Sequence, residues 1–137
     1  PAIPLGYAVI LSPVVAQFPG GKFQCAAFLN TTEPPAELLV GVVIFDKVTS
    51  LDHVGPSTYL EMFDWSGSPV RFITIGARTG GTGPDSYLPQ HMTVSYKDAP
   101  TKLDVLLIPG GLGTAGVVKD AGFMKYLTTA AEQSKHV

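Results

Sequence analysis

Three stretches hold residues whose types and spacing could do chemistry. The first is Leu51-Asp52-His53-Val54-Gly55-Pro56, which sets one carboxylate between an apolar run and a helical pattern. Asp52 there can be a helix N-cap, its side-chain oxygen accepting from an orphaned backbone N–H. It can equally point a carboxylate into a site, where such a group moves protons. The second stretch is Pro109-Gly110-Gly111, which closes the apolar run at 103–108. Its glycines admit three readings. They permit a tight turn, they present backbone N–H groups to a developing negative charge, or, as Gly111-Leu112-Gly113-Thr114-Ala115-Gly116, they form a dinucleotide fingerprint. Against the last, Pro109 interrupts the strand before the first glycine, and the acid found about 20 residues on is Glu132, inside a helical pattern. The third is Cys25, a lone cysteine in FQCAAF. It has the chemistry of a nucleophile, but its apolar neighbours favour a small buried hydrophobe. His53, His91 and His136 lack metal-ligand spacing, so neither a metal nor a cofactor is expected.

The elements that must position these groups can be read from the apolar pattern. Residues 38–45 (LLVGVVIF) form a continuous, β-branched-rich run, which reads as a buried central strand. Residues 46–50 read as a polar turn, and 57–63 as helix, with Pro56 in its first turn. Residues 70–77 (VRFITIGA) read as a second parallel strand, 78–89 as a Gly/Ser/Pro-rich loop, and 92–96 as a short strand in a hairpin off the main sheet. Residues 103–108 form the strand that ends at the glycine turn. Residues 117–134 carry helical spacing, with Phe123, Leu127, Ala130, Ala131 and Ser134 on one face. Strands alternating with helices give an α/β sandwich with a parallel sheet. In such sheets ligands collect beyond the carboxyl ends of the strands, where Asp52 and the glycine turn both fall.

The domain organisation expected is a Pro/Gly-rich extension over 1–37, with one strand at 7–11, followed by a domain over 38–137. Lys135-His136-Val137 reads as the entry to a further strand, so the next central strand is expected beyond Val137. The 137 residues carry a net charge of −2 and no Lys/Arg cluster, which disfavours nucleic acid and anionic membrane as partners. Charged residues are only 15% of the chain, fewer than the usual quarter; that fits a buried sheet or an oligomer. No stretch reaches the ~18 apolar residues of a membrane span. One cysteine allows no internal disulfide, and Asn30-Thr31-Thr32 is a glycosylation sequon that matters only in a secreted chain. A cytoplasmic location is expected.

The segment GVVIFDKVTSLDHVGPSTYLEM (41–62), followed by LDVLLIPGGLGTAG (103–116), resembles the amino-terminal half of the DJ-1/PfpI superfamily, within the class I glutamine amidotransferase-like group. The LDxxGP form is similar to the isonitrile hydratase-like branch. The resemblance implies a flavodoxin-like three-layer sandwich, usually a homodimer, with a cysteine nucleophile on a strand-to-helix elbow. Asp52 matches the acid that hydrogen-bonds the nucleophile; Gly110 and Gly111 match the turn whose amides face the reacting oxygen. The implied activity is that of a lyase, a cysteine-dependent hydration of a small electrophile. The nucleophile elbow would lie beyond Val137, and Cys25, ahead of the first strand, cannot take its place. This chain alone is therefore expected to be inactive, completed by a C-terminal polypeptide or a longer chain. The alternatives are a non-catalytic relative acting as stress sensor or scaffold, a glyoxalase-like activity on α-oxoaldehydes, and a dinucleotide-binding module.

Overall fold

A computed structural model describes residues 36–65 and 67–137. Its elements are β1 (Leu38–Val43), α1 (Ser50–Trp65), β2 (Val70–Gly76), β3 (Gly80–Gly81), β4 (His91–Met92), β5 (Val94–Ser95), β6 (Val105–Leu107), α2 (Thr114–Lys119) and α3 (Ala121–Gln133). The extension expected over 1–37 lies outside the described residues but for its last two, and Cys25 and the Asn30 sequon lie outside them as well.

Four strands form a parallel sheet in the order β5-β2-β1-β6. β1 is central, pairing with β2 from Leu38↔Val70 to Val43↔Ile75, and with β6 through Val40↔Val105 and Val42↔Leu107. Because side chains alternate along a strand, the run LLVGVVIF feeds two separate cores. Val40, Val42 and Ile44 face α1, with Met92 and the partly buried Leu60, Val105 and Leu107. Val43 and Phe45 face the other way and join Ile75, Leu106, Phe123, Tyr126 and Leu127. Helices on both faces of a parallel sheet make the flavodoxin-like three-layer sandwich the sequence implied.

Three expectations are corrected. Helix α1 starts at Ser50, so Pro56 lies inside it. The predicted helix over 117–134 is two helices, broken at Asp120, whose Oδ1 accepts from Phe123 N at 3.0 Å and caps α3. The segment at 92–96 is divided between two sheets: Met92 pairs antiparallel with Gly80, while Val94 and Ser95 pair parallel with β2 at the edge of the main sheet.

Beyond α3 the backbone returns to the sheet. His136 forms a parallel bridge with Val105; Leu106 N donates to His136 O at 2.9 Å, and His136 N to Asp104 O at 3.1 Å. Asp104 fixes this junction. Its Oδ2 accepts from Leu39 N at 2.7 Å and its Oδ1 pairs with Lys135 Nζ at 2.5 Å. The Leu39 amide, then the Lys135 ammonium, hold the Asp104 carboxyl below its ordinary pKa.

Candidate functional site

Two turns at the carboxyl end of the sheet pack into each other. One leaves β1 through Asp46, Lys47 and Val48; the other leaves β6 through Pro109, Gly110 and Gly111. Thr49 N donates to Gly110 O at 2.9 Å, and Val48 forms an antiparallel bridge with Gly111. The fit requires glycine. Gly111 has φ +152°, and a Cβ there would come within 2.5 Å of Lys47 O and 2.8 Å of Thr49 N. A Cβ at Gly113 would overlap the Asp46 carbonyl. The Gly111 carbonyl in turn accepts from Thr114 N at 3.2 Å and Thr114 Oγ1 at 2.7 Å, which opens α2.

Asp52 is the third residue of α1 and reaches across this junction. Its Oδ2 accepts from Gly110 N at 3.2 Å, linking positions 58 apart in sequence. The N-cap reading of Asp52 fails, since a cap precedes the first helical residue and α1 begins at Ser50. The structure thus brings Asp52 and Gly110 into contact and sets Gly111 beside them. It also corrects one detail: the Gly110 amide points at the Asp52 carboxylate. Two glycines of the G-x-G-x-x-G stretch, Gly111 and Gly113, are taken up by one turn packing on another.

His53 was not singled out by its sequence context. It is only 6% exposed, and its Nε2 has no hydrogen-bond partner among the described residues. Burial lowers its pKa, opposed in part by the charge of Asp52. The signal was present, because His53, Ser57 and Leu60 share the α1 stripe that faces the sheet.

The arrangement of sheet and helices is that of solved ThiJ/PfpI and DJ-1-like structures. A ThiJ/PfpI family protein from Pseudomonas syringae superposes with a TM-score of 0.64 at 21% identity, over 85% of this chain and 47% of that one. A two-domain protein from Anabaena variabilis, containing DJ-1/ThiJ/PfpI-like and ferritin-like domains, gives 0.57 at 19% identity, over 70% and 27%. A relative found by sequence is an isonitrile hydratase of Pseudomonas putida, 27% identical over 100 residues. The chain is thus similar in sequence to an isonitrile hydratase, and it shares its fold with the solved ThiJ/PfpI and DJ-1-like structures. The aligned region is 73% of the chain and 42% of the relative, so the chain spans less than half the length of the curated protein it matches. No protein-family model matches the chain. No described helix is long and apolar enough to cross a membrane.

Proposed function

We propose that this chain is the amino-terminal part of an isonitrile hydratase-like enzyme, in which Asp52 moves the proton and a cysteine beyond Val137 is the nucleophile. The observation that carries the reading is the contact of the Asp52 carboxylate with the Gly110 amide, at the end of the sheet where ligands of parallel folds collect. A second observation supports a nucleophile contributed from beyond Val137. If the chain continued in the register His136 holds beside Val105, the fourth residue past Val137 would come alongside Gly110.

The chemistry follows from these parts. A thiolate adds to the terminal carbon of R–N≡C, forming a C–S bond, and a proton delivered through Asp52 gives the thioimidate R–N=CH–S–enzyme. Water then adds to that carbon, losing a proton to the Asp52 carboxylate. The hydroxyl proton passes to the nitrogen, the C=O bond forms as the C–S bond breaks, and the thiolate leaves with its electron pair. The product is the N-substituted formamide, the isonitrile plus one water. With the Gly110 N–H given to the Asp52 carboxylate, the Gly111 N–H is the amide of this turn that would stabilise negative charge as it develops. The working unit in this reading is a homodimer, or this chain joined by a complementing C-terminal polypeptide.

The test is formamide production by the complete protein. Asp52→Asn is expected to lower turnover by about 10²–10⁴-fold while far-UV circular dichroism stays unchanged. An enzyme that keeps full activity as Asp52→Asn, or that has no cysteine within a residue of the fourth position past Val137, would end the proposal.

A further inference from the structure

The double turn also walls a cavity of about 360 Å³ at the carboxyl ends of β1 and β2, lined by neither Asp52 nor Gly110. Its floor is Phe45, Met92 and Phe123, all buried. Leu112, 76% exposed, and Gly113 stand at its side. Four charged residues line it: Asp46, Lys47, Arg78 and Asp120.

The charges balance in number, and each sign keeps some hydrogen-bonding capacity, the Oδ2 atoms of Asp46 and Asp120 accepting no hydrogen bond among the described residues. Asp46 Oδ1 accepts from Gly83 N at 2.6 Å and from Arg78 Nη2 at 3.4 Å. Asp120 is engaged as the α3 cap. Arg78 Nη2 also donates to Gly81 O at 3.2 Å, which leaves the Nε and Nη1 donors of the guanidinium without a partner among the described residues. The Lys47 ammonium has no ion-pair partner among the described residues. Its backbone is held at φ +63°, with the Lys47 amide donating to Ser86 Oγ at 3.1 Å. Left-handed backbone at a non-glycine residue is uncommon and gathers at ligand sites. The result is an apolar floor beneath a mixed rim, on which the Lys47 ammonium and the Arg78 guanidinium supply the donors and Asp46 and Asp120 the acceptors.

We propose that this cavity is a subsite for a small molecule with an apolar body and a carboxylate head. The body lies on Phe45, Met92 and Phe123, and the head takes the donors of Lys47 and Arg78. Because Lys47 and Gly113 belong to the same double turn as Gly110, the subsite borders the proposed reaction centre. The inference names a substrate class, an isonitrile whose side chain ends in a carboxylate; it rests on the hydratase reading for the reaction and not for the binding.

Calorimetric titration of the complete protein with 3-phenylpropionate and with 3-phenylpropionamide, at low ionic strength and neutral pH, tests the binding. The acid is expected to bind about tenfold more tightly than the amide, as for a hydrogen bond to a charged group. Added salt is expected to shrink that preference. Lys47→Gln, which removes the charge and keeps most of the stem, is expected to bring the two compounds to within about twofold of each other, and Arg78→Gln to narrow the gap as well. Equal binding of acid and amide, no binding of either, or a preference that survives in both variants overturns the subsite. Isonitrile turnover is scored separately. Acid preference without hydration of any isonitrile removes the hydratase reading and leaves the subsite; hydration without acid preference does the reverse.

Discussion

The two helical faces of the sheet are built differently. On one side α3 sinks Phe123, Tyr126, Leu127 and Ala130 into the larger core. There Phe123 stacks on Tyr96 with ring centroids 5.0 Å apart, and Tyr126 Oη donates to Pro100 O at 2.9 Å. On the other side α1, though longer, buries His53 fully and leaves Leu51 77% exposed, with Tyr59 and Met62 also open. The helix that carries the candidate acid is the weakly packed one. What holds Asp52 in place is the double turn at its amino end, with Gly111 and Gly113 as the fitted parts. The larger core and the helix that carries the candidate acid therefore lie on opposite faces of one sheet.

That division can be broken by experiment. Phe123→Ala is expected to cost about 3–5 kcal/mol in urea unfolding, enough to unfold a marginal domain. Gly111→Val is expected to cost roughly 1–3 kcal/mol through its backbone conformation alone, with more from its contact with Lys47 O, and to displace Gly110 from Asp52. A Gly111→Val protein as stable as the parent would mean that the turn has an alternative packing.

A smaller effect should appear with pH. His53 has a folded pKa below its unfolded value near 6.5, so the unfolded chain binds the proton first as pH falls. Its contribution is complete above about pH 6.5 and is lost as the solution is acidified through that value, with a slope of at most about 1.4 kcal/mol per pH unit. His53→Leu should flatten this slope between about pH 5 and 7 and leave intact the acid limb that Asp104 produces at lower pH, where its Leu39 and Lys135 partners are lost. The smallest change expected is for Leu51→Ser, within about 0.5 kcal/mol. Should Leu51→Ser cost as much as Phe123→Ala, the two faces would not differ as described.

Much of the sheet was legible before any coordinates. Residues 38–45 and 70–77 announce themselves as strands because a buried parallel strand needs a continuous apolar run. The pairings of β4 and β5 were not legible. Each is two residues long, too short for an apolar pattern to show which partner it meets. The end of α2 was legible and overlooked, because Asp120 three residues before Phe123 is an ordinary capping pattern. The start of α1 was obscured by Pro56, which propensity places at a first turn and which packing accommodates further in. At the site, Asp52, Gly110 and Gly111 were named through the resemblance of two motifs. Their contact across 58 positions has no signature in local spacing. His53 escaped because a single histidine without ligand spacing carries no chemical signal until its burial is known.

The position of Pro56 has one more consequence. Proline has no N–H to give the carbonyl four residues earlier, and that carbonyl belongs to Asp52. The turn bearing the candidate acid is thus coupled more loosely to the rest of α1 than an uninterrupted helix would be, while the carboxylate binds it to the β6 turn. It can open as a unit of its own, at a free energy below that of global unfolding. Native-state hydrogen exchange should divide α1 there, with the amides of Val54 and Gly55 exchanging sooner than those from Ser57 onward.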